Sequence, residues 1–141
     1  MGSFADYWEN EILAHLFGKG LYNATLGTGG TYPDVTIYVG LSTAEPLDDS
    51  SGLAEPSGNA YARVSTTSAD WNTASGGTLD NANEITFPEA TGSWGTITHF
   101  ALFDAVTGSN MLAYGALSTS KTIGSGDTAK FAAGDLDVSL D

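Results

Sequence analysis

Apolar and polar residues alternate with two different periods along this chain, and the change of period divides it. Near the start, Phe4, Trp8, Ile12 and Leu16 recur every four residues, with Leu13 and Phe17 beside them. That spacing puts them on one stripe of an α-helix and predicts a helix over about 4–17. Ser3 stands where an N-cap belongs, and Asp6, three residues on, is the acidic partner of a capping box. Asp6, Glu9 and Glu11 load the early turns with negative charge, which suits the positive end of the helix dipole. Gly18-Lys19-Gly20 ends the helix, because glycine takes up the left-handed backbone there at least cost. A helix this short is marginal alone, so its stripe must lie on a sheet or on a neighbouring subunit.

The rest of the chain has period two. Residues 21–34, rich in glycine, read as a loop, and a β domain is expected over about 35–141. Val35, Ile37, Val39 and Leu41 alternate with Thr36, Tyr38, Gly40 and Ser42, which is a strand. Residues 43–60 make a long polar connection, a length that points to a functional or mobile loop. Short strands are expected at Tyr61 to Thr67 and at Glu84 to Phe87, the second stopping at Pro88. Gly76-Gly77 and Gly92-Ser93-Trp94-Gly95 mark turns. From 96 to 103 both faces carry bulk: Ile97, His99, Ala101 and Phe103 on one, Thr98, Phe100 and Leu102 on the other. Such a strand belongs in the centre of a sheet or under the helix. A turn at 104–110 returns the chain through Met111 to Leu117. A polar connection follows over Ser118 to Asp127, with a weak strand at Lys121 to Ile123. Leu136, Val138 and Leu140 alternate with acids and serine, as in an outer strand with one wet face. The sum is one helix and six to eight strands. The fold class is mainly β: an antiparallel β-sandwich or partly open barrel with one N-terminal amphipathic α-helix, in a single domain spanning 1–141.

Charge narrows the partners. Seventeen acids face four Lys and Arg, a net charge of −13. Phosphates would be repelled at long range, so nucleic acid and anionic membrane surfaces are disfavoured. The absence of cysteine excludes disulfides, a thiol nucleophile and zinc–thiolate sites. Residues 1–6 have neither a basic region nor an apolar run, and no stretch approaches the roughly 20 apolar residues of a membrane helix. The expectation is a protein without a signal peptide that either works where it is made or leaves the cell by another route, such as lysis or inside a particle.

Candidate chemistry is sparse. His99 with Asp104 could form a general base and its orienter, but a packed histidine with a local hydrogen bond is the plainer reading. His15 lies beside the helix stripe as a surface or packing residue. Glu84 and Glu89 flank a strand end and could be imagined as a glycosidase pair, with solvated strand ends as the simpler role. Asp48, Asp49 and Glu55 share the 43–60 loop, and Asp135 and Asp137 share a strand face. Oxygen ligands on loops suit calcium, yet the EF-hand pattern is missing, and the expectation is no bound cofactor. No serine elbow, Walker loop, nucleotide fingerprint or zinc-protease motif is present, so no catalytic residue is assigned. Asp104 to Gly108 reads as a turn in which Asp104 and Thr107 bond backbone N–H groups ahead of them. Trp71, Trp94, Tyr38 and Tyr61 are core anchors or subunit contacts.

The run from Ile85 through Pro88, Gly92 and Trp94 to Phe100 resembles small virion structural proteins of tailed bacteriophages. So do Phe103-Asp104-Ala105 through Gly108, Leu112-Ala113-Tyr114-Gly115-Ala116-Leu117, Gly126-Asp127-Thr128, and Phe131 to Leu136. Val39-Gly40-Leu41-Ser42-Thr43 and the helical start match as well, so the resemblance spans nearly the whole chain. The 21–34 and 43–60 loops are expected to vary most. The resemblance implies a place in the virion and no enzymatic role. Its first form is a capsid decoration or cement protein on the outer head surface, bound to the major capsid protein as a homo-oligomer such as a trimer. Its alternative is a tail or fibre-associated protein that helps attach the particle to its host, using loops such as 43–60. In either, Phe4, Trp8, Ile12 and Leu16 are the candidate protein–protein contact, unless the helix simply covers its own sheet. Deleting residues 1–17 is then expected to abolish particle binding and spare the sheet.

Overall fold

The computed structural model describes residues 4–19, 21–22, 30–31, 34–108 and 110–140. Helix α1 spans Asp6–Leu16. Ten strands follow among the described residues: β1 Leu21–Tyr22, β2 Gly30–Thr31, β3 Ile37–Ser42, β4 Val64–Thr66, β5 Thr78–Asp80, β6 Ile85–Glu89, β7 Gly95–Phe103, β8 Met111–Ile123, β9 Thr128–Phe131 and β10 Asp137–Ser139. They form a four-stranded sheet in the order β4-β3-β7-β8 and three two-stranded sheets, β1-β2, β10-β5 and β6-β9. The fold is mainly β and antiparallel with one N-terminal helix, and the sheets do not close into a barrel. The strands beyond the expected six to eight come from β1 and β2, inside the glycine-rich segment read as loop, and from β5. Packing divides the chain into two compact units, Met1–Thr36 with Thr66–Ile85 and Phe131–Asp141, and Ile37–Ser65 with Thr86–Lys130.

In the first unit, α1 starts later than the sequence suggests. Ala5 is its N-cap, and no side chain caps it. The Ala5 carbonyl accepts from Trp8 N at 2.8 Å and Glu9 N at 3.1 Å, so the first turn closes on backbone alone. Ser3, the expected cap, lies outside the described residues, as does Gly20. Gly18 takes φ 62° just after the helix, which ends it as expected.

The buried line of α1 is Glu9, Leu13 and Phe17, not the 4-8-12-16 stripe. The two lines are one residue apart, a rotation of about 100°. The cause is the Gly76-Gly77 turn, which leads into β5. Gly77 donates its N–H to Asn10 Oδ1 at 2.8 Å, and a Cβ at Gly77 would collide with the Glu9 carboxylate. A polar latch with no side chain on one half therefore sets the rotation of the helix. Leu13 and Phe17 then face the core, where Phe17 meets Trp71 edge to face with ring centroids 4.7 Å apart. Leu79 of β5, Leu136 and Val138 complete that core. Asn81, fully buried, organises the chain around them. Its Nδ2 donates to the Asn83 and Ala132 carbonyls, and its Oδ1 accepts from Leu136 N, each at 2.8 Å. With Asn81 satisfied on both sides, its burial carries no desolvation penalty of an orphaned amide.

In the second unit, β7 is an interior strand of the four-stranded sheet, as its two-faced bulk predicts. It pairs antiparallel with β3, Tyr38 opposite Phe103 and Ser42 opposite His99. It also pairs antiparallel with β8, from Phe103 opposite Met111 to Gly95 opposite Ile123. The register with β8 shifts between Ile97 and His99, where the partner steps from Lys121 to Ala116. Residues 117–120 bulge out there. The two strands read at 111–117 and 121–123 are thus one 13-residue strand carrying an irregularity. β6 runs through Pro88 instead of stopping before it. Pro88 is exposed in a two-stranded sheet, where each strand keeps one edge unpaired and proline is tolerated. Tyr61, Phe87 and Trp94 cluster with ring centroids 5.3–6.5 Å apart, and Trp94 Nε1 donates to the Asn59 carbonyl.

Candidate interaction surfaces

The 43–60 connection is not a free loop. Ser42 Oγ, at the end of β3, accepts from Ala44 N and Ala54 N and donates to the Ala44 carbonyl. Thr43 N donates to the Ala54 carbonyl at 3.0 Å, so the loop is closed at its base. Inside it, Leu47 and Ser51 form a turn, and Pro46 is fully buried. Its far end passes through Gly58, Asn59 and Ala60, all with positive φ. This strained turn is held by Asn59, whose Nδ2 donates to the Ser93 carbonyl and whose own carbonyl accepts from Thr91 N and Trp94 Nε1.

Arg63 ties this loop to the β7–β8 turn. Its side chain is 6% exposed. Nε and Nη2 grip the Glu55 carboxylate, the latter at 2.6 Å. Nη1 donates to the Ala105 and Gly108 carbonyls at 2.9 and 3.0 Å. The guanidinium carbon lies 3.3 Å from the Phe103 ring centroid. Tyr61 OH donates to Glu55 Oε1 at 2.8 Å and accepts from Leu41 N at 2.8 Å. Gly40 is required beneath this group: a Cβ there would stand 2.8 Å from both Glu55 Oε1 and the Phe103 ring. Asp104 completes the turn by accepting from Asn110 N and Nδ2 at 3.1 and 2.8 Å. One buried cation thus fixes two loops. Nothing in the spacing of the sequence singled out Arg63; the available signal was a rare basic residue in a short alternating segment.

Burial pushes the Tyr61 phenol well above its ordinary value near 10, against the Leu41 backbone hydrogen bond, which lowers it. A raised phenol contributes stability that is fully present below the unfolded value and is lost as pH rises toward the folded one. In a spectroscopic titration, Tyr61 is expected to ionise after the exposed tyrosines, and that late step is absent in Tyr61→Phe. At neutral pH Tyr61→Phe is expected to cost about 1–2 kcal/mol for its two hydrogen bonds. The gap to the native chain narrows above about pH 10. A single-step titration for the native protein contradicts this.

The structure brings none of the suggested catalytic or metal sets together. Asp48 accepts from Tyr114 OH at 3.0 Å, which raises that phenol. Asp49 accepts from Ser51, whose hydroxyl and N–H hold its carboxyl below the usual range. Glu55 is held by Arg63 and Tyr61. Among the described residues, no group of three or more His, Asp or Glu side chains could hold a metal ion. His99 Nδ1 shares a hydrogen bond with Thr98 Oγ1 at 2.9 Å, while Asp104 accepts from Asn110, so the two are not paired as a base and its orienter. Glu84 and Glu89 are exposed at the two ends of β6. Asp135 caps the Ala132 N–H, Asp137 is exposed on β10, and His15 is exposed in the last turn of α1. Trp71 and Trp94 are core anchors.

What the molecule offers instead is exposed apolar surface. On α1, Tyr7 is 49%, Trp8 37% and Leu16 48% exposed and Ile12 is half-buried, and Phe4, just before the helix, is 59% exposed. In the second unit, Leu47, Val106 and Leu112 are exposed, the first two on the loops that Arg63 fixes. The sequence matches the model of the Podophage GP4 fiber I protein gp80 family over residues 3–139. The chain belongs to that family. The gp80 family is a fibre-type structural family of phages, which agrees with the resemblance read from the Ile85–Phe100 run. No curated protein sequence matches the chain.

Proposed function

We propose that this protein is a fibre-associated component of the phage particle, anchored to a neighbouring tail protein through the exposed face of α1. The observation that carries this is a division of labour on the helix. Glu9, Leu13 and Phe17 already close the core of the first unit, so Phe4, Trp8 and Leu16 are surplus to folding. Large aromatic residues left in water on a helix and at its start are the usual anchors of a protein interface. The membership of the gp80 family supports a fibre-type role over head decoration. In this reading the 43–60 loop and the 104–110 turn form the recognition surface, held rigid by Arg63 so that little ordering entropy is lost on contact.

Copy number tests the assignment. Quantitative mass spectrometry of purified particles is expected to find a small count set by tail symmetry. A count that scales with the capsid lattice identifies a decoration protein and overturns the fibre reading.

A further inference from the structure

Strand β8 has the composition of an interior strand and the position of an edge strand. Its first seven residues, Met111 to Leu117, hold no charge and no proline. Apolar side chains occur on both of its faces, and most are only half-buried. Yet β8 ends the sheet order, with β7 as its neighbour. Proteins normally blunt a long edge with charge, proline or a bulge, because its unpaired N–H and C=O groups template another strand. Here the register with β7 shifts at two places, at 117–120 and between Ala113 and Met111, and the segment Ala113–Ala116 between them is regular.

We propose that the outer edge of β8 is a subunit interface, at which a second copy of this chain adds its own β8 antiparallel across a two-fold axis. Antiparallel addition of a strand to itself is self-complementary, as a two-fold interface requires. Charge favours a second copy in this orientation. Residues 105–126 contain no acid, so two chains of net charge −13 meet along a stretch free of like-charge repulsion. Lys121, one of four basic residues, is exposed near the far end of β8. Antiparallel pairing brings it to the partner copy's 104–110 turn, where Asp104 sits. Parallel pairing would set lysine beside lysine. With the axis at Tyr114, Ala113 of one copy lies opposite Gly115 of the other, and Leu112 of one copy flanks that pair on the side of the other's Ala116, both exposed.

This pairing goes beyond the fibre assignment and does not depend on it, since a head protein could pair in the same way. Light scattering on the purified full chain is expected to give a mass of two chains. L112E/A116E sets acids beside each other on both sides of the axis and is expected to weaken pairing about tenfold or more, to a one-chain mass at low concentration. L112K/A116E sets opposite charges there and is expected to keep the two-chain mass. Circular dichroism checks the fold of both. A one-chain or three-chain mass for the native protein overturns the proposal, as does a two-chain mass unchanged in folded L112E/A116E. If that variant fails to fold, a one-chain mass for folded L112K/A116E overturns it equally.

Discussion

Replacing Arg63 by leucine is expected to destabilise the protein by about 3–5 kcal/mol, the usual cost of removing one partner of a buried ion pair. The loss has three parts. Glu55 keeps only the Tyr61 hydroxyl in a site that is 21% exposed. The Ala105 and Gly108 carbonyls lose their donor, and Phe103 loses the guanidinium packed on its ring. Arg63→Lys is expected to recover little, because an ammonium cannot grip a carboxylate with two parallel bonds and still reach two carbonyls on the other side. Urea unfolding measures both. Variants within about 1 kcal/mol of the native chain would mean that the 104–110 turn and the 43–60 loop are held by something else.

That cluster marks where the sequence stops being legible. The strand at 96–103 and its central place could be read directly, since bulk on both faces leaves no face for water. The outer strand around Val138 was equally readable from its wet alternate face. The rotation of α1 was not. Four large residues at perfect spacing outweigh a line that begins with a glutamate, and only the glycine at 77, distant in sequence, explains why Glu9 turns inward. Arg63 was invisible for the same reason: its contacts come from residues 55, 103, 105 and 108, and no local pattern announces them. The long strand β8 was split in two because its bulge is polar and looks like a loop. The apolar stripe was legible in the sequence, and the structure leaves Phe4, Trp8 and Leu16 of it exposed. A deletion of residues 1–17 would also remove Leu13 and Phe17 from the core of the first unit.

Point substitutions separate those two roles. The triple variant Phe4→Gln, Trp8→Gln, Leu16→Gln is expected to fold with a stability change within about 1 kcal/mol, because Phe4 is exposed ahead of the helix, exposed helix positions tolerate polar residues and glutamine is a good helix former. It is expected to be lost from assembled particles, since all three anchors of the proposed contact are gone. Leu13→Ala is the converse. Leu13 is 2% exposed, and its truncation is expected to cost about 2–5 kcal/mol by leaving a cavity, while the exposed face stays intact wherever the chain still folds. Thermal unfolding and the amount of each variant in particles from a complemented phage lacking the native gene decide this. Native levels of the triple variant in particles would remove α1 from the account.

The central claim is that this chain is a fibre-associated building block anchored by the spare face of its helix. A density map of the intact particle by electron microscopy tests it most directly. The account predicts the protein at the tail or its fibres, with Phe4, Trp8 and Leu16 against a neighbouring protein. Density spread over the head surface, or a helix face left open to solvent in the assembled particle, would contradict it.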